Sequence, residues 1–371
     1  MKEPAWNAVL KGQSVLVTGH TGFKGSWLVL WLARMGAVVS GYGQHPISKP
    51  DLFTAAKIHE VLKFNAIADL RDMASLRKVI EQVKPALILH LAAQPIVAAS
   101  YQEPKETFEI NVMGTVNVLE SVRLSGVRCS IVVVTSDKCY ENLEREYSLR
   151  ECDPMGGRDP YSASKGAAEI VAASYRASFF SPERQEQHGV RLATARAGNT
   201  IGGGDWADSR IIPDAARALA RGQAIEVRNP SATRPWQHVL EPLSGYLRLG
   251  AGLVASVDPR WCSAWNFGPW PGDELRVSEV AELFCQAWGE GQWVQAPGQQ
   301  TFKEAHSLRL CIDKAVHEAN WRPLWTSAEA VRRSAHWYKA FYAQGADSAR
   351  GLCIRDIEAY EQSSEIRETA S

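Results

Sequence analysis

Val15-Leu16-Val17-Thr18-Gly19-His20-Thr21-Gly22-Phe23-Lys24-Gly25 decides the fold. It begins as a short apolar run, turns at a glycine and enters the amphipathic stretch 23–34. The glycine spacing is G-x-x-G-x-x-G rather than G-x-G-x-x-G. Gly19 permits the tight turn, Gly22 lets the backbone approach a pyrophosphate, and Gly25 lets the helix pack close to a sheet. The positive amino end of that helix then faces the phosphates. Three glycines in an ordinary loop would mean little, but between a strand and a helix they specify a dinucleotide site. The expected contacts are Gly19, Gly22, Phe23 and Gly25. His20, inside the loop, faces either the cofactor or solvent.

Outward from this stretch, short apolar runs alternate with amphipathic ones as far as residue 200. Runs 14–18, 37–42, 86–91, 129–135 and 190–196 are apolar on both faces, as parallel strands covered by helices must be. Stretches 23–34, 72–83, 104–125 and 160–180 have helical spacing, with Pro104 suited to a first turn and Gly126 to a helix end. Strand-helix repetition predicts an α/β, Rossmann-like doubly wound parallel sheet with right-handed crossovers. After residue 200 the rhythm breaks. Gly202-Gly203-Gly204-Asp205 is a turn, 224–228 a short strand, and 208–221, 241–254, 277–288 and 327–341 helices. The expected division is a dinucleotide-binding domain over 10–200, also receiving parts of about 236–268. A smaller, interleaved carboxy-terminal substrate lobe covers most of 201–345. The tail, 346–371, is polar at its end and expected to fray.

Composition excludes several classes. The 371 residues carry 41 basic and 41 acidic side chains, so no basic field favours nucleic acid. Seven scattered cysteines without a C-x-x-C pair point to reduced thiols in a cytoplasm rather than a disulfide framework. His59-Glu60 and His317-Glu318 begin like H-E-x-x-H, but Lys63 and Trp321 stand at the closing positions, so no metal site is expected. No run is long and apolar enough for a membrane span, and the amino terminus lacks a signal peptide's regions.

Tyr161-Ser162-Ala163-Ser164-Lys165 opens the stretch 160–180. Positions i and i+4 share a helix face, so the phenol and the ammonium stand side by side. A free phenol has a pKa of about 10, and deprotonating an alcohol near neutrality needs it lowered by up to ~3 units. A neighbouring cation favours the phenolate. One helix earlier, the run 129–135 ends in Thr135-Ser136-Asp137-Lys138, at the strand end where open α/β sheets bind ligands. Ser136 can hold an alcohol oxygen beside Tyr161. Asp137 and Lys138 are either a surface salt bridge or an acid and an amine placed for elimination.

These motifs, with Pro154-Met155-Gly156-Gly157, the run from Arg196 to Trp206 and the run from Arg234 to Leu243, resemble the extended short-chain dehydrogenase/reductases of the nucleotide-sugar 4,6-dehydratase branch. The tryptophan-bearing segments are the narrower part of the likeness and resemble the members that act on CDP-linked glucose. The resemblance runs from residue 14 to about 270. It implies NAD as cofactor, a small-molecule nucleotide sugar as substrate, and a redox-neutral dehydration yielding a 4-dehydro-6-deoxy sugar. Tyr161 would take the C4 hydroxyl proton while hydride leaves C4. Asp137 would protonate the departing C6 hydroxyl, and the hydride would return to C6.

Most of the branch carries Thr-Asp-Glu where this chain has Ser136-Asp137-Lys138. The resemblance therefore leaves Lys138 as either the C5 base, the expectation taken here, or a cation steadying the enolate. It further implies that Asn199, Arg234 and His238 hold the sugar nucleotide, the alternatives from the residues alone being Asn199 in a turn, Arg234 in a surface pair and His238 as a packed core ring. From their place after the third strand, Asp69 and Leu70 would lie at the adenine unless Asp69 is a turn or cap residue; Ala92 and Ala93 would let the cofactor lie close, and Asn111 would shape that region. A homodimer through 104–125 and 160–180 follows by the same analogy. The rival readings are a GDP- or dTDP-sugar 4,6-dehydratase, a sugar-nucleotide 4-epimerase or decarboxylase that needs no acid at 137, and a noncatalytic NAD sensor on the same fold.

Overall fold

A computed structural model describes residues 6–144, 146–297 and 308–370. Seven strands form one sheet: β1 (Ser14–Thr18), β2 (Val38–Gly43), β3 (Phe64–Ile67), β4 (Leu87–His90), β5 (Ser130–Val134), β6 (Arg191–Ala197) and β7 (Ala264–Phe267). Their order is β7-β6-β5-β4-β1-β2-β3, and every pairing is parallel. The sequence therefore runs outward from β1 in one direction and then in the other, as a doubly wound sheet requires. Register aligns Thr18 with both Tyr42 and His90, so the carboxyl ends of β1, β2 and β4 are level.

Alternation within single strands supplies two cores. Val15 and Val17 join a large cluster with Trp27, Trp31, Leu243 and Leu247, while Leu16 joins a smaller one with Leu76, Val118 and Ala172. The helices covering these faces include α1 (Phe23–Arg34) and α2 (Met73–Val83); α3 (Pro104–Phe108) leads into α4 (Gly114–Ser125), which with α5 (Pro160–Ser178) adds to the cover, and later in the chain α6 (Ile211–Ala220) packs against 225–227 while α7 (Leu240–Ala255) returns to the sheet. Asp72 caps α2 by accepting from Ser75 N at 3.0 Å. The stretch 104–125, expected as one helix, is interrupted: Glu109–Met113 is a π-helical turn between α3 and α4, with Asn111 buried in it. Such turns arise where a side chain is needed off the α-helical face.

Beyond β6 the chain makes small two-stranded pairs. Thr200–Ile201 runs parallel to Gln237–His238, and Thr233–Arg234 antiparallel to Leu275–Arg276. Ile225–Val227, expected as a strand, lies parallel to Trp293–Gln295. The longer helices of the remaining chain are α8 (Val277–Trp288), α9 (Ser327–Gln344) and α10 (Ala349–Ala370).

The expectation of a fraying tail is corrected by α10. Leu352, Cys353, Ile357 and Tyr360 bury one side of it, and Arg34 of α1 reaches Glu358 and Glu361 at 3.0 Å each. Residue 371 lies outside the described chain. Among the described residues no helix is long and apolar enough to cross a membrane.

Candidate active site

The glycine loop joins β1 to α1. Gly19 has a φ of +75°, and a Cβ there would stand 2.7 Å from Ala92 N, so strand β4's continuation lies against the turn. A Cβ on Gly25 would meet Gly19 O at 2.1 Å, which makes hydrogen the only side chain that lets the helix start so close to the loop. Gly22 is exposed, and a Cβ on it would touch only Gly19 O at 3.4 Å. The loop thus presents bare backbone at a helix amino end, and these residues fit a dinucleotide's phosphates.

His20 does not face that surface. Its ring is fully buried, bonded through Nε2 to Asn65 Oδ1 at 2.7 Å and set edge-on to Phe53. It lies over Gly41, whose missing Cβ makes room for it. Only its backbone borders the loop, which corrects both readings of the side chain. Burial lowers its pKa.

Asp69 follows β3, held by Arg71 at 2.6 Å and by Gln44 Nε2 at 2.7 Å. The Arg71 guanidinium keeps its carboxyl below the ordinary range. Leu70 is buried against Gly114, so its side chain packs α4 rather than opening to a ligand. Ala92 and Ala93 are half-buried beside the loop. His90 is sealed between Thr18 at 2.7 Å and Thr115 at 3.3 Å.

At the carboxyl end of β5, Ser136 Oγ donates to Asp137 Oδ1 at 2.9 Å and the Lys138 ammonium stands 3.7 Å from the same oxygen. Asp137 Oδ2 is buried with no hydrogen-bond partner. Tyr161 enters α5 at its second residue. Asp159 caps the helix through Ser162 N at 2.9 Å, and Ser100 Oγ accepts from Tyr161 N at 3.2 Å. Ser164 donates to Tyr161 O at 2.7 Å and accepts from Asn111 Nδ2 at 2.8 Å. Asn111 Oδ1 accepts from Gln94 N at 2.8 Å. The π-turn therefore ties the cofactor-side segment to the catalytic helix.

Burial pushes the Tyr161 phenol up, while the Lys138 charge and the neighbouring Ser136 hydroxyl pull it down. Lys138, when charged, thus lowers the phenol, the effect that the i, i+4 spacing had suggested for Lys165. Lys165 is itself buried, and desolvation lowers it to about 8 against the opposing pull of Cys139 and Glu169.

Of the residues expected at the sugar nucleotide, Asn199 and Arg234 are half-buried and near this centre. Gly198, adjoining Asn199, leaves room for Asp137: a Cβ there would meet Asp137 Oδ2 at 3.1 Å and Pro235 at 3.6 Å. His238 is different. It is fully buried, edge-on to Trp27 and Trp325, and desolvation lowers it to about 3. It is a core ring, which corrects its expected substrate contact.

Two cations had gone unread. Lys24 in the glycine loop is half-buried and lowered to about 8 by desolvation, with Arg210, Lys165 and Lys138 adding repulsion. Arg210, at the start of α6, pairs with Asp205 at 2.7 Å and lies within electrostatic reach of Tyr161. A lysine in a loop that otherwise needs small or apolar residues was the available signal for Lys24. Arg210 offered none, since only folding brings it to the site.

A serine, tyrosine and lysine at the carboxyl end of a doubly wound sheet, beside a glycine-turned dinucleotide loop, define an extended short-chain dehydrogenase/reductase. Residues 16–249 match the family model for GDP-mannose 4,6 dehydratase, and the chain belongs to that family. The CDP-glucose 4,6-dehydratase of Salmonella typhimurium is 46% identical over 331 residues, covering 89% of this chain and 92% of that one. The GDP-mannose 4,6-dehydratase of Yersinia enterocolitica is 31% identical, covering 75% and 72%. Among solved structures, a dTDP-glucose 4,6-dehydratase from Streptomyces venezuelae with NAD bound superposes with a TM-score of 0.74 at 23% identity, covering 89% and 98%.

Proposed function

We propose that the protein is an NAD-dependent nucleotide-sugar 4,6-dehydratase that converts CDP-D-glucose to CDP-4-dehydro-6-deoxy-D-glucose and water. The observation that carries this reading is the buried Asp137 carboxyl, hydrogen-bonded to Ser136 and flanked by Lys138, beside the Tyr161 phenol. A 4-epimerase needs the serine, the phenol and Lys165 but has no use for an acid and an amine at this place. The 46% identity to a CDP-glucose 4,6-dehydratase supports the nucleotide.

Gly19, Gly22, Phe23 and Gly25 would hold the pyrophosphate of NAD, with Asp69 at the adenine and Ala92 and Ala93 alongside the cofactor. When bound, NAD accepts hydride from the sugar's C4 and gives it back at C6. Tyr161 takes the proton of the C4 hydroxyl, whose oxygen Ser136 holds in place. The ketone so formed acidifies C5–H, which Lys138 removes. Asp137 protonates the C6 hydroxyl, and water leaves. Lys138 then returns its proton to C5. Arg234 and Asn199 hold the nucleotide sugar, with the guanidinium suited to the diphosphate.

Tyr101, Phe108, Met113 and Ile170 are exposed apolar side chains in or beside the helices expected to pair two subunits, which supports a homodimer. Seven unpaired cysteines, five of them buried, suit a reducing cytoplasm.

The test is incubation with CDP-, dTDP- and GDP-hexoses, followed by the alkali-induced absorbance of a 4-keto-6-deoxy sugar. CDP-glucose should turn over without net formation of NADH, and deuterium at C4 should reappear on the C6 methyl group. Formation of the C4 epimer alone would overturn the reading.

A further inference from the structure

Strand β2 ends at Gly43. A doubly wound domain ordinarily places here, about 20 residues beyond the glycine loop, the side chain that decides between NAD and NADP. An acid accepts from the 2′-hydroxyl of the adenosine ribose, whereas an arginine holds the 2′-phosphate. This chain has neither. It continues Gln44-His45-Pro46, with Gln44 and His45 both exposed. The dehydration chemistry makes no use of either.

Gln44 is nonetheless fixed at two points. Its backbone carbonyl accepts from Thr21 Oγ1 of the glycine loop at 2.7 Å. Its side-chain Nε2 donates to Asp69 Oδ2 at 2.7 Å, just past β3, the strand that pairs with β2. Asp69 is held in turn. Arg71 N donates to its Oδ1 at 2.8 Å, the Arg71 guanidinium reaches its Oδ2 at 2.6 Å, and the Tyr42 hydroxyl donates to its carbonyl at 2.7 Å. The guanidinium keeps the carboxyl below the ordinary range. An ionised carboxylate only accepts, so the carboxamide must turn its nitrogen to Asp69. Gln44 Oε1 is then an acceptor with no partner among the described residues. Arg71 is itself engaged, shared by Asp69, by Glu106 at 3.2 Å and by Glu109 at 3.7 Å.

We propose that Gln44 stands in for the missing acid: its Oε1 accepts a hydroxyl of the adenosine ribose, and Asp69, by dictating which end of the amide is free, turns away a 2′-phosphate. A ribose hydroxyl has a proton to donate to that oxygen. A phosphate monoester near neutrality is largely dianionic, since its second pKa is about 6. It would meet an acceptor backed by a carboxylate. The amide turned end for end would offer N–H to the phosphate, and the Asp69 carboxylate forbids that orientation. Discrimination of this kind rests on the dinucleotide site at Gly19 to Gly25 and is the same whichever sugar is dehydrated.

The experiment is titration calorimetry of the full-length chain, cleared of bound dinucleotide, with NAD and with NADP. Wild type should bind NAD about 100-fold more tightly than NADP. Gln44→Leu should weaken NAD about tenfold and leave NADP within about threefold, so the preference falls. Asp69→Asn lets the amide turn over and should cut the preference about tenfold, chiefly by strengthening NADP. That change also releases Arg71, and combining it with Gln44→Leu separates the two effects. The gain for NADP should vanish in the double variant. A wild type that binds both dinucleotides alike, a Gln44→Leu variant with undiminished preference, or a gain that survives in the double variant would overturn the role of Gln44. Failure of the wild type to bind either dinucleotide would instead remove the dinucleotide site itself.

Discussion

Glu169 and Arg196 meet at 2.8 Å between the catalytic helix and β6, each about 95% shielded from solvent. Glu169 stands one turn beyond Lys165 and also accepts the hydroxyls of Thr135 at 2.5 Å and Thr194 at 2.7 Å. Arg196 continues to the Tyr140 hydroxyl at 2.6 Å, and Tyr140 to Asn266 at 2.8 Å. Thr135 and Tyr140 are the entry and exit of the turn bearing Ser136, Asp137 and Lys138, so one buried ion pair holds both ends of that turn.

Removing one partner of such a pair leaves an uncompensated buried charge. Glu169→Gln should therefore lower stability by about 3–5 kcal/mol, read from urea unfolding midpoints. Replacing both partners, as Glu169→Gln with Arg196→Met, should cost less than the two single changes added together.

The buried ammonium of Lys165 gives a pH prediction with a definite sign. Its pKa falls from 10.5 unfolded to about 8 folded. Below pH 8 both states hold the proton and the folded chain bears the full desolvation penalty, about 3 kcal/mol. Between pH 8 and about 10.5 the unfolded chain binds the extra proton, so stability rises with pH. Lys165→Met should melt higher than the wild type at pH 7, and the gap should narrow by pH 10.

Arg234 and His238 were read from the same motif but do different work. Arg234→Ala should raise KM for the nucleotide sugar at least tenfold with little change in melting temperature. His238→Ala should lower stability by about 2–4 kcal/mol, since it empties a site between Trp27 and Trp325, and leave KM within twofold. Calorimetry and initial-rate kinetics on the two variants separate these outcomes.

Glu241 is fully buried and accepts from Trp325 N at 2.6 Å and from the Tyr360 hydroxyl at 2.8 Å. Tyr360→Phe deletes one donor to a buried carboxylate and should cost about 1–3 kcal/mol in denaturant unfolding. The loss tests whether α10 is integral to the core.

Much of the fold was readable because its strands are apolar on both faces: β1, β4, β5 and β6 were placed within a residue or two at each end. The catalytic grouping was readable because Tyr161 and Lys165 share a helix turn and Ser136 to Lys138 are consecutive. What escaped notice depends on distance in the chain. His20 and His238 carry the residue type of a ligand contact, but whether a ring turns inward depends on Gly41, Asn65 and Trp325, which no local pattern names. The π-turn at Glu109–Met113 leaves the apolar spacing of 104–125 almost unchanged, so periodicity passed over it. The tail looked frayed because the partners that order it, Trp31 and Arg34, lie more than 300 residues upstream.

Gly203 is gripped from two sides: Trp27 Nε1 donates to its carbonyl at 2.9 Å, and a Cβ on it would fall 1.9 Å from the Trp337 ring. One indole comes from α1 and the other from the last third of the sequence. The enzyme therefore cannot be dissected at the glycine turn into self-sufficient pieces. A fragment ending near residue 200 would expose Trp27 and Trp31 to water and aggregate, and only simultaneous production of both fragments would let them find each other. Grafting a foreign specificity lobe onto this scaffold would have to import a matching indole as well as the recognition residues.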